Sequence, residues 1–304
     1  MKHSFKTHKQ HLAAIAGGLF LASALSAQVF PTTWTGGDGA IINDVANWSD
    51  GLPTGLDAGE WGLVDTPDSL TTDSFGANTD LFSGYRVWLR SGDFSTASND
   101  RLLMDDVAFA MEGGSFTHVP VGSGQLVLLR DGASLDLRGG TTVLDNPDNH
   151  LGLAFGAGGS GDGVPRVDIS GGTHTWGNIE FRQPNEGLNL LEGSYTLTLT
   201  GSEPIDLGRN HINFRFHEGG GSLIVSAFGV SDPYDFEGLL WNDGELTFID
   251  AGGNEFTHGD GTFSDYFIVS GGNTLTAIPE PSAAAVVLGV AVLGLFLHRR
   301  RTRS

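Results

Sequence analysis

The sequence predicts an all-β body, and its repeats favour a parallel β-helix. Short segments of alternating or uniformly apolar residues recur between Gly, Asp and Asn residues. No segment between residues 28 and 276 has the periodicity and length of a helix. Glycine makes up 46 of the 304 residues without a collagen-like period, which indicates many tight turns.

Ten segments are predicted as strands because they alternate or are apolar over four to seven residues. They are 85–89, 107–111, 125–129, 134–137, 166–169, 178–181, 195–200, 212–216, 222–228 and 245–249. Such short strands, spaced by turn residues, are typical of a solenoid or a sandwich.

A repeated motif punctuates these strands: an apolar residue, a polar residue, Gly-Gly or Gly-Ser, then a strand rich in Thr and Ser. Its five copies occupy 111–115, 137–141, 169–173, 191–195 and 269–273. The first four copies are separated by 26, 32 and 22 residues, which fits the coil length of an irregular parallel β-helix. Asp131-Gly132 and Asp243-Gly244 are hairpin signals, however, so an antiparallel sandwich or jelly roll stays as the alternative.

The C-terminal 28 residues have three parts in a fixed order. Pro279-Glu280-Pro281 precedes an apolar run at 283–297, which as a helix would measure about 23 Å, short of the ~30 Å hydrocarbon core of a bilayer. The run is followed by four arginines: Arg299, Arg300, Arg301 and Arg303. The run is therefore expected to form a short C-terminal transmembrane helix. The arginines should stay on the cytoplasmic side, which places the body across the membrane.

This tail resembles the sorting signal of PEP-CTERM proteins, which bacteria with an exosortase system export. The resemblance covers residues 278–303. It implies processing near Pro279-Glu280-Pro281 by an exosortase-type enzyme, with an inner-membrane intermediate before the protein reaches the cell surface or the extracellular matrix.

The N-terminus predicts a signal peptide. Lys2, Lys6 and Lys9 precede an apolar stretch at 12–25, and small residues end at Ala27, where signal peptidase is expected to cut. The chain therefore divides into a signal peptide at 1–27, an extracytoplasmic β-rich body at 28–276 and a sorting tail at 277–304.

The body is strongly acidic and has no cysteine. Nine arginines stand against 35 acidic residues, an excess of 26 negative charges. Such a charge repels phosphates, so nucleic acid and anionic membrane surfaces are not expected as partners. Without thiols, the body must be held by core burial and backbone pairing, and thiolate metal sites are excluded.

The start of the mature chain offers a second resemblance. Two Trp-containing segments at 34–39 and 43–53 are similar to the N-terminal segment of exported bacterial proteins with autotransporter-type β-strand repeats. The resemblance implies a structural role, in which Trp34 and Trp48 plug the open end of a β-solenoid.

Candidate metal sites rest on acidic loops. Asp145–Asn149 and Asp260–Asp265 carry hard oxygen ligands that suit calcium, but neither follows the EF-hand order, and the same residue types cap turns through their own backbone. The Gly-rich segment 156–163 contains G-x-G-x-x-G, but its residues cannot open a helix, which indicates a loop. The body histidines do not fall in a metal-ligand spacing: His118, His150, His174, His211, His217 and His258.

A catalytic constellation does not emerge from the residues. Asp105-Asp106 is an adjacent pair, and adjacent strand residues point to opposite faces. Arg166 and Arg182 could serve as a lyase base or be solvated. The three tryptophans on predicted strands, Trp88, Trp176 and Trp241, could stack on sugars or fill the core.

These observations predict a non-catalytic exported protein of the cell surface or matrix that associates with exopolysaccharide. The alternative is a secreted β-helix enzyme that hydrolyses or lyses glycans. No resident cofactor is expected, and the calcium loops stay open.

Overall fold

The computed structural model describes residues 28–57, 59–72, 78–81, 84–96, 101–120, 126–148, 150–156, 164–181, 187–201, 205–206, 213–226 and 233–278. It is all-β, with 7% helix, and forms a β-solenoid of about six turns. The all-β prediction and the choice of a parallel β-helix are confirmed, and the antiparallel sandwich and jelly roll are wrong.

The strands are short apart from two that turn a corner. In chain order they are β1 (Val29–Thr33), β2 (Ala40–Ile41), β3 (Glu60–Val64), β4 (Ser69–Thr72), β5 (Asn78–Leu81), β6 (Arg86–Leu89), β7 (Asp93–Thr96), β8 (Arg101–Asp105), β9 (Ala108–Met111), β10 (Ser115–His118), β11 (Val127–Arg130), β12 (Ser134–Leu137), β13 (Thr141–Leu144), β14 (Leu151–Phe155), β15 (Arg166–Trp176), β16 (Asn178–Phe181), β17 (Gly187–Leu199), β18 (Ile205–Asp206), β19 (Asn213–His217), β20 (Ser222–Val225), β21 (Leu246–Ile249), β22 (Glu255–Phe256), β23 (Phe267–Ser270) and β24 (Thr274–Ala277). The helical elements are a 3-10 turn at Val45–Asn47, a π-helical turn at Glu237–Trp241 and α1 (Phe263–Tyr266).

Successive coils stack their strands in parallel on three sheets. The first sheet runs β1, β3, β6, β9, β12, β15, β17, β19, β21. The second runs β2, β4, β7, β10, β13, β15, β17, β20. The third is the six-stranded stack β5, β8, β11, β14, β16, β18. The long strands β15 and β17 pass from the first sheet into the second, which joins these two sheets along one corner.

Alternate residues of each strand point inward and form one continuous core. Because the strands are in register, equivalent side chains stack from coil to coil, as Phe109, Leu135 and Val167 do on the first sheet. All three are at most 3% exposed. This in-register burial supplies the hydrophobic stabilisation that a single short coil cannot provide for itself.

The repeated glycine motif forms the corner between the first and second sheets. A methyl group at Gly139 would lie 2.1 Å from the carbonyl oxygen of Glu112, and one at Gly171 would lie 2.1 Å from that of Arg138. The glycines of each coil therefore sit directly against the backbone of the preceding coil. The first four copies of the motif occupy this corner, whereas the fifth, 269–273, forms the antiparallel turn between β23 and β24.

The two Asp-Gly dipeptides do not make hairpins. Asp131 and Gly132 adopt φ values of 50° and 81° between β11 and β12, which belong to different sheets. Asp243-Gly244 lies between the π-helical turn and β21. The left-handed backbone that favours Asp-Gly in hairpins serves a solenoid corner equally well, which is why the sequence signal pointed to the wrong pairing.

Aromatic residues close both ends of the solenoid. At the N-terminal end, Trp34 and Trp48 pack edge to face at 5.4 Å and are 8% and 4% exposed. They occupy the place predicted for them. At the other end, antiparallel pairing replaces the parallel stack in β22, β23 and β24, and Trp241 packs against Tyr266 and Phe267.

Candidate ligand-binding cleft on the first sheet

The outward side chains of the first sheet stand in columns because the strands pair in register. One column follows the first residue of four strands: Arg86, Ala108, Ser134 and Arg166. A second column, two residues further along each strand, holds Trp88, Ala110, Asp136 and Asp168. Small residues on β9 and β12 therefore lie between larger ones on the flanking strands.

A cleft of about 430 Å³ opens along the first column. Its floor comes from strand residues, and its walls come from the turns that precede them and from the segment before β3. The lining residues are Gly55, Leu56, Gly84, Arg86, Asp106, Val107, Ala108, Gly132, Ser134, Val164 and Arg166. Arg86 and Arg166 stand on its two outermost strands, with the small residues between them.

The arginines of the first sheet differ in whether acidic residues neutralise them. Arg138 pairs with Asp136, and Arg215 pairs with Glu255. Arg90 lies 3.5 Å from both Asp65 and Glu112. Their positive charge is thus neutralised by acidic side chains of the protein itself.

The two cleft arginines are less completely neutralised than these three. Within the described part of the chain, no carboxylate lies at ion-pair distance from Arg86. Arg166 lies 3.4 Å from Asp168, but its side chain is 64% exposed and that carboxylate also accepts a 2.7 Å hydrogen bond from Asn189. The cleft therefore presents cationic groups to solvent on an otherwise acidic body.

An aromatic cluster lies beside the cleft on β1, β3 and β6, outside the residues that line it. The Trp88 ring meets Trp61 edge to face at 5.2 Å and Phe30 at 6.1 Å. The guanidinium carbon of Arg138 lies 4.6 Å from the centre of the Trp88 ring, a cation–π contact. These neighbours leave Trp88 only 2% exposed, while Trp61 is half-buried. Trp61 is thus the tryptophan of this cluster that can contact a ligand.

Asp136 and Asp168 are in register on neighbouring strands, but both carboxylates already form ion pairs or hydrogen bonds within the protein. The Asp136 side chain, through its hydrogen bond to Arg138, holds the pKa of that guanidinium above its usual value. Asp168 accepts from Asn189 and faces Arg166. In the described ranges, no three histidine or acidic side chains converge as a metal ion would require.

The structure separates the residues that the sequence singled out. Trp88 and Arg166 lie on the first sheet, whereas Trp176 and Trp241 are core residues at 0% and 1% exposure. The pair Asp105-Asp106 separates, but not by alternation along a strand as expected: Asp105 ends β8 and pairs with Arg130, and Asp106 lies past that strand, where it lines the cleft at a φ of 50°. Arg182 lies outside the described residues.

The body histidines that the structure describes do not line the cleft. His118 and His174 are buried in the second sheet, each with Nδ1 next to a threonine hydroxyl. His150 faces Asp145 at 3.4 Å, and His258 packs against the edge of Trp241. His217 ends β19, and His211 lies outside the described part of the chain.

The proposed calcium loops use their oxygens in turns. Asp260 Oδ2 accepts hydrogen bonds from the backbone and hydroxyl of Thr257, and Asp265 Oδ2 accepts the same pair from Thr262. In the other loop, Asn146 Oδ1 accepts from the backbone of Asp148. Asn149 lies outside the described residues. Each loop thus has the geometry of a capped turn.

The sequence reasoning missed the cleft as a set of residues, although a signal was available. Ala108, Ser134 and Arg166 each stand five residues before the first glycine of a repeat, at Gly113, Gly139 and Gly171. Arg86 stands five residues before Ser91-Gly92, which occupies the same corner but has a single glycine. Aligning the strands on their corners would have placed the four residues in one column.

The predicted targeting elements lie outside the described residues. These are the cleavage site at Ala27, the motif Pro279-Glu280-Pro281, the apolar run 283–297 and the arginines Arg299, Arg300, Arg301 and Arg303. Among the helices that the structure describes, none has the length and apolar character needed to span a bilayer. No protein-family model, curated protein or solved structure matches this chain.

Proposed function

We propose that this chain is a non-catalytic exported protein of the cell surface or extracellular matrix, and that its solenoid associates with exopolysaccharide. The observation that carries the proposal is the open cleft on the first sheet, which is lined by Arg86 and Arg166 and has the half-buried Trp61 beside it on β3. A rigid solenoid suits a long polymer because its stacked coils present an extended surface. Half-buried aromatic rings suit sugars because the C–H faces of a sugar ring pack on them.

The targeting signals support the same proposal. Signal peptidase would remove residues 1–27, and the tail would hold the protein in the inner membrane until an exosortase-type enzyme cuts near Pro279-Glu280-Pro281. The body would then reach the cell surface or the matrix. Its acidity keeps it soluble there and makes nucleic acid an unsuitable partner.

We expect Glu280→Ala to leave a membrane-retained precursor, because the change removes the acidic residue of the proposed processing motif. Mass spectrometry of the secreted and membrane fractions measures the outcome. The wild-type secreted form should end near Pro281, and the neighbouring change Ser282→Ala serves as the control and should still be processed. Recovery of intact Arg303 in the mature surface protein would refute the sorting proposal.

We expect the full-length protein to co-sediment with the exopolysaccharide of the cell that produces it, and Trp61→Ala to weaken this association by about tenfold. That loss corresponds to one aromatic contact with a sugar at about 1.4 kcal/mol. Leu239→Ala is the matched control, because Leu239 is 50% exposed and lies on the π-helical turn at the C-terminal end. If the two variants bound exopolysaccharide equally well, the first sheet would not be the binding surface.

The second candidate function, a glycan-cleaving enzyme, rests on Asp136 and Asp168. Side chains in register on neighbouring strands start about 4.8 Å apart, close to the separation of about 5 Å between the carboxyl groups of retaining glycosidases. Both aspartates are already held by Arg138, Arg166 and Asn189, which favours a structural role. New reducing ends or unsaturated sugars after incubation with the polysaccharide would favour the enzyme.

A further inference from the structure

The charges in the cleft select among polysaccharides. We propose that the cleft binds an acidic polysaccharide segment, a uronic acid polymer, whose carboxylates pair with Arg86 and Arg166. This inference rests on the proposed association with polysaccharide and names the class of polymer that the cleft accepts.

The first argument is the state of the two arginines. An arginine on a protein with a large excess of acidic residues normally finds a carboxylate, as Arg90, Arg138 and Arg215 do. Arg86 has none among the described residues. Arg166 meets Asp168 only through its Nε, at 3.4 Å, and its side chain is 64% exposed. The guanidinium group matches a carboxylate in shape and binds it through two parallel hydrogen bonds. The cleft thus offers two binding groups for carboxylates.

The second argument is spacing. Arg86 and Arg166 lie on β6 and β15, with β9 and β12 between them. Three steps between neighbouring strands separate their backbones by about 14 Å, at about 4.8 Å a step. A polymer with a carboxylate on every sugar can place one at each arginine and run across the strands between them.

The third argument is the shape of the floor. Ala108, Gly132 and Ser134 give the middle of the cleft almost no side-chain bulk, so a sugar ring can approach the backbone closely. The Ser134 hydroxyl and the Asp106 carboxylate can exchange hydrogen bonds with sugar hydroxyls. The acidic excess of the body disfavours carboxylates on most of its surface, so the attraction for an acidic polymer has to come from Arg86 and Arg166.

The test compares matched ligands on the full-length protein by titration calorimetry. Oligogalacturonate supplies a carboxylate on each ring, its methyl ester keeps the rings and removes the charge, and dextran sulfate supplies a different anion. We expect oligogalacturonate to bind, the methyl ester to bind at least tenfold more weakly, and Arg86→Gln and Arg166→Gln each to lower the oligogalacturonate affinity about tenfold or more. Arg215→Gln, outside the cleft on the same sheet, should change it less than twofold.

The outcomes separate this inference from the proposed function. Equal binding of oligogalacturonate and its methyl ester would overturn the inference and leave polysaccharide association standing. So would equal losses in the Arg86, Arg166 and Arg215 variants, which indicate diffuse attraction. Binding of dextran sulfate alone would overturn the assignment to carboxylates. Failure of all three ligands, together with failure to co-sediment with exopolysaccharide, would refute both proposals. Unchanged melting temperatures confirm that the variants fold.

Discussion

The Gly139→Ala variant is expected to lose about 3 kcal/mol or more of its free energy of unfolding, or to fail to fold. The added methyl group would lie 2.1 Å from the carbonyl oxygen of Glu112 and 3.0 Å from its carbonyl carbon. Both atoms belong to the backbone of the preceding coil, which β9 and β10 hold in place on either side. The contact therefore cannot be relieved by a side-chain rotation.

Urea denaturation of the full-length protein, followed by tryptophan fluorescence, measures this loss. Gly37→Ala is the matched control, since a methyl group there meets no atom within 4 Å. It should change the free energy of unfolding by less than about 1 kcal/mol. If the two alanine variants were equally stable, the glycine corner would not be a close backbone contact, and the stacking of the coils would have to be different.

The solenoid is also expected to lose stability in mild acid because its second sheet buries histidines. Burial lowers the pKa of His118 from 6.5 to about 4, and burial likewise lowers the pKa of His174. The unfolded chain therefore binds protons that the folded chain excludes between pH 6.5 and pH 4. Stability is fully present above pH 6.5 and falls as the pH drops through this window. For His118 alone the loss is about 3 kcal/mol.

The variant His118→Leu tests this origin. Leucine suits the position because His118 stacks in register on Leu144 in the next coil. The variant removes the buried Nε2, which has no hydrogen-bond partner, but also the 2.7 Å hydrogen bond between Nδ1 and the Thr96 hydroxyl. Its stability at pH 7.5 should therefore stay within about 1 kcal/mol of the wild type. It should lose about 3 kcal/mol less than the wild type between pH 7.5 and pH 4.

A matched substitution at an exposed histidine isolates the effect of burial. His258→Gln, at the exposed C-terminal end of the solenoid, is the control for removing a histidine without changing the core. Denaturation curves at several pH values give the required free energies. Parallel curves for the wild type and His118→Leu would show that carboxylates, and not this histidine, control the stability in acid.

The separation of charge gives the proposed binding face its physical basis. Acidic residues dominate the body, so most of its surface repels anionic polymers and keeps the protein soluble. On the first sheet, Arg90, Arg138 and Arg215 are neutralised locally, whereas Arg86 has no carboxylate partner among the described residues and Arg166, which meets Asp168 at 3.4 Å, is 64% exposed. An acidic polymer would thus meet attraction at one face and repulsion elsewhere, which favours one orientation of binding.

The strands of the body could be predicted from the sequence because alternating burial is a local pattern. Close agreement is found for the predicted segments 85–89, 134–137 and 245–249. They correspond to β6 (Arg86–Leu89), β12 (Ser134–Leu137) and β21 (Leu246–Ile249). The strands that were missed include β2, β5 and β18, which are two to four residues long, and β1, β3, β8 and β14, which have five residues each. Their extended conformation depends on pairing with the adjacent coil, which no window of the sequence contains.

The sequence favoured parallel strand pairing, which is correct, but it did not exclude antiparallel pairing. A coil-length repeat pointed to a parallel solenoid, while Asp131-Gly132 pointed to a hairpin. Both signals describe only the local backbone, because a left-handed turn can lead either to the same sheet or to the next one. Which of the two occurs is decided by where the following strand finds an in-register partner and buries its side chains.

The sequence by itself determined the strand-rich body, its acidity and the glycine positions at which the chain turns, because composition and local pattern carry these properties. Only the tertiary structure decided which residues come together in the cleft. Its four column residues are 22, 26 and 32 residues apart, and they meet because coils of unequal length still stack in register. A slip of one residue would turn each of these side chains to the opposite face. Register is set by the packed core as a whole.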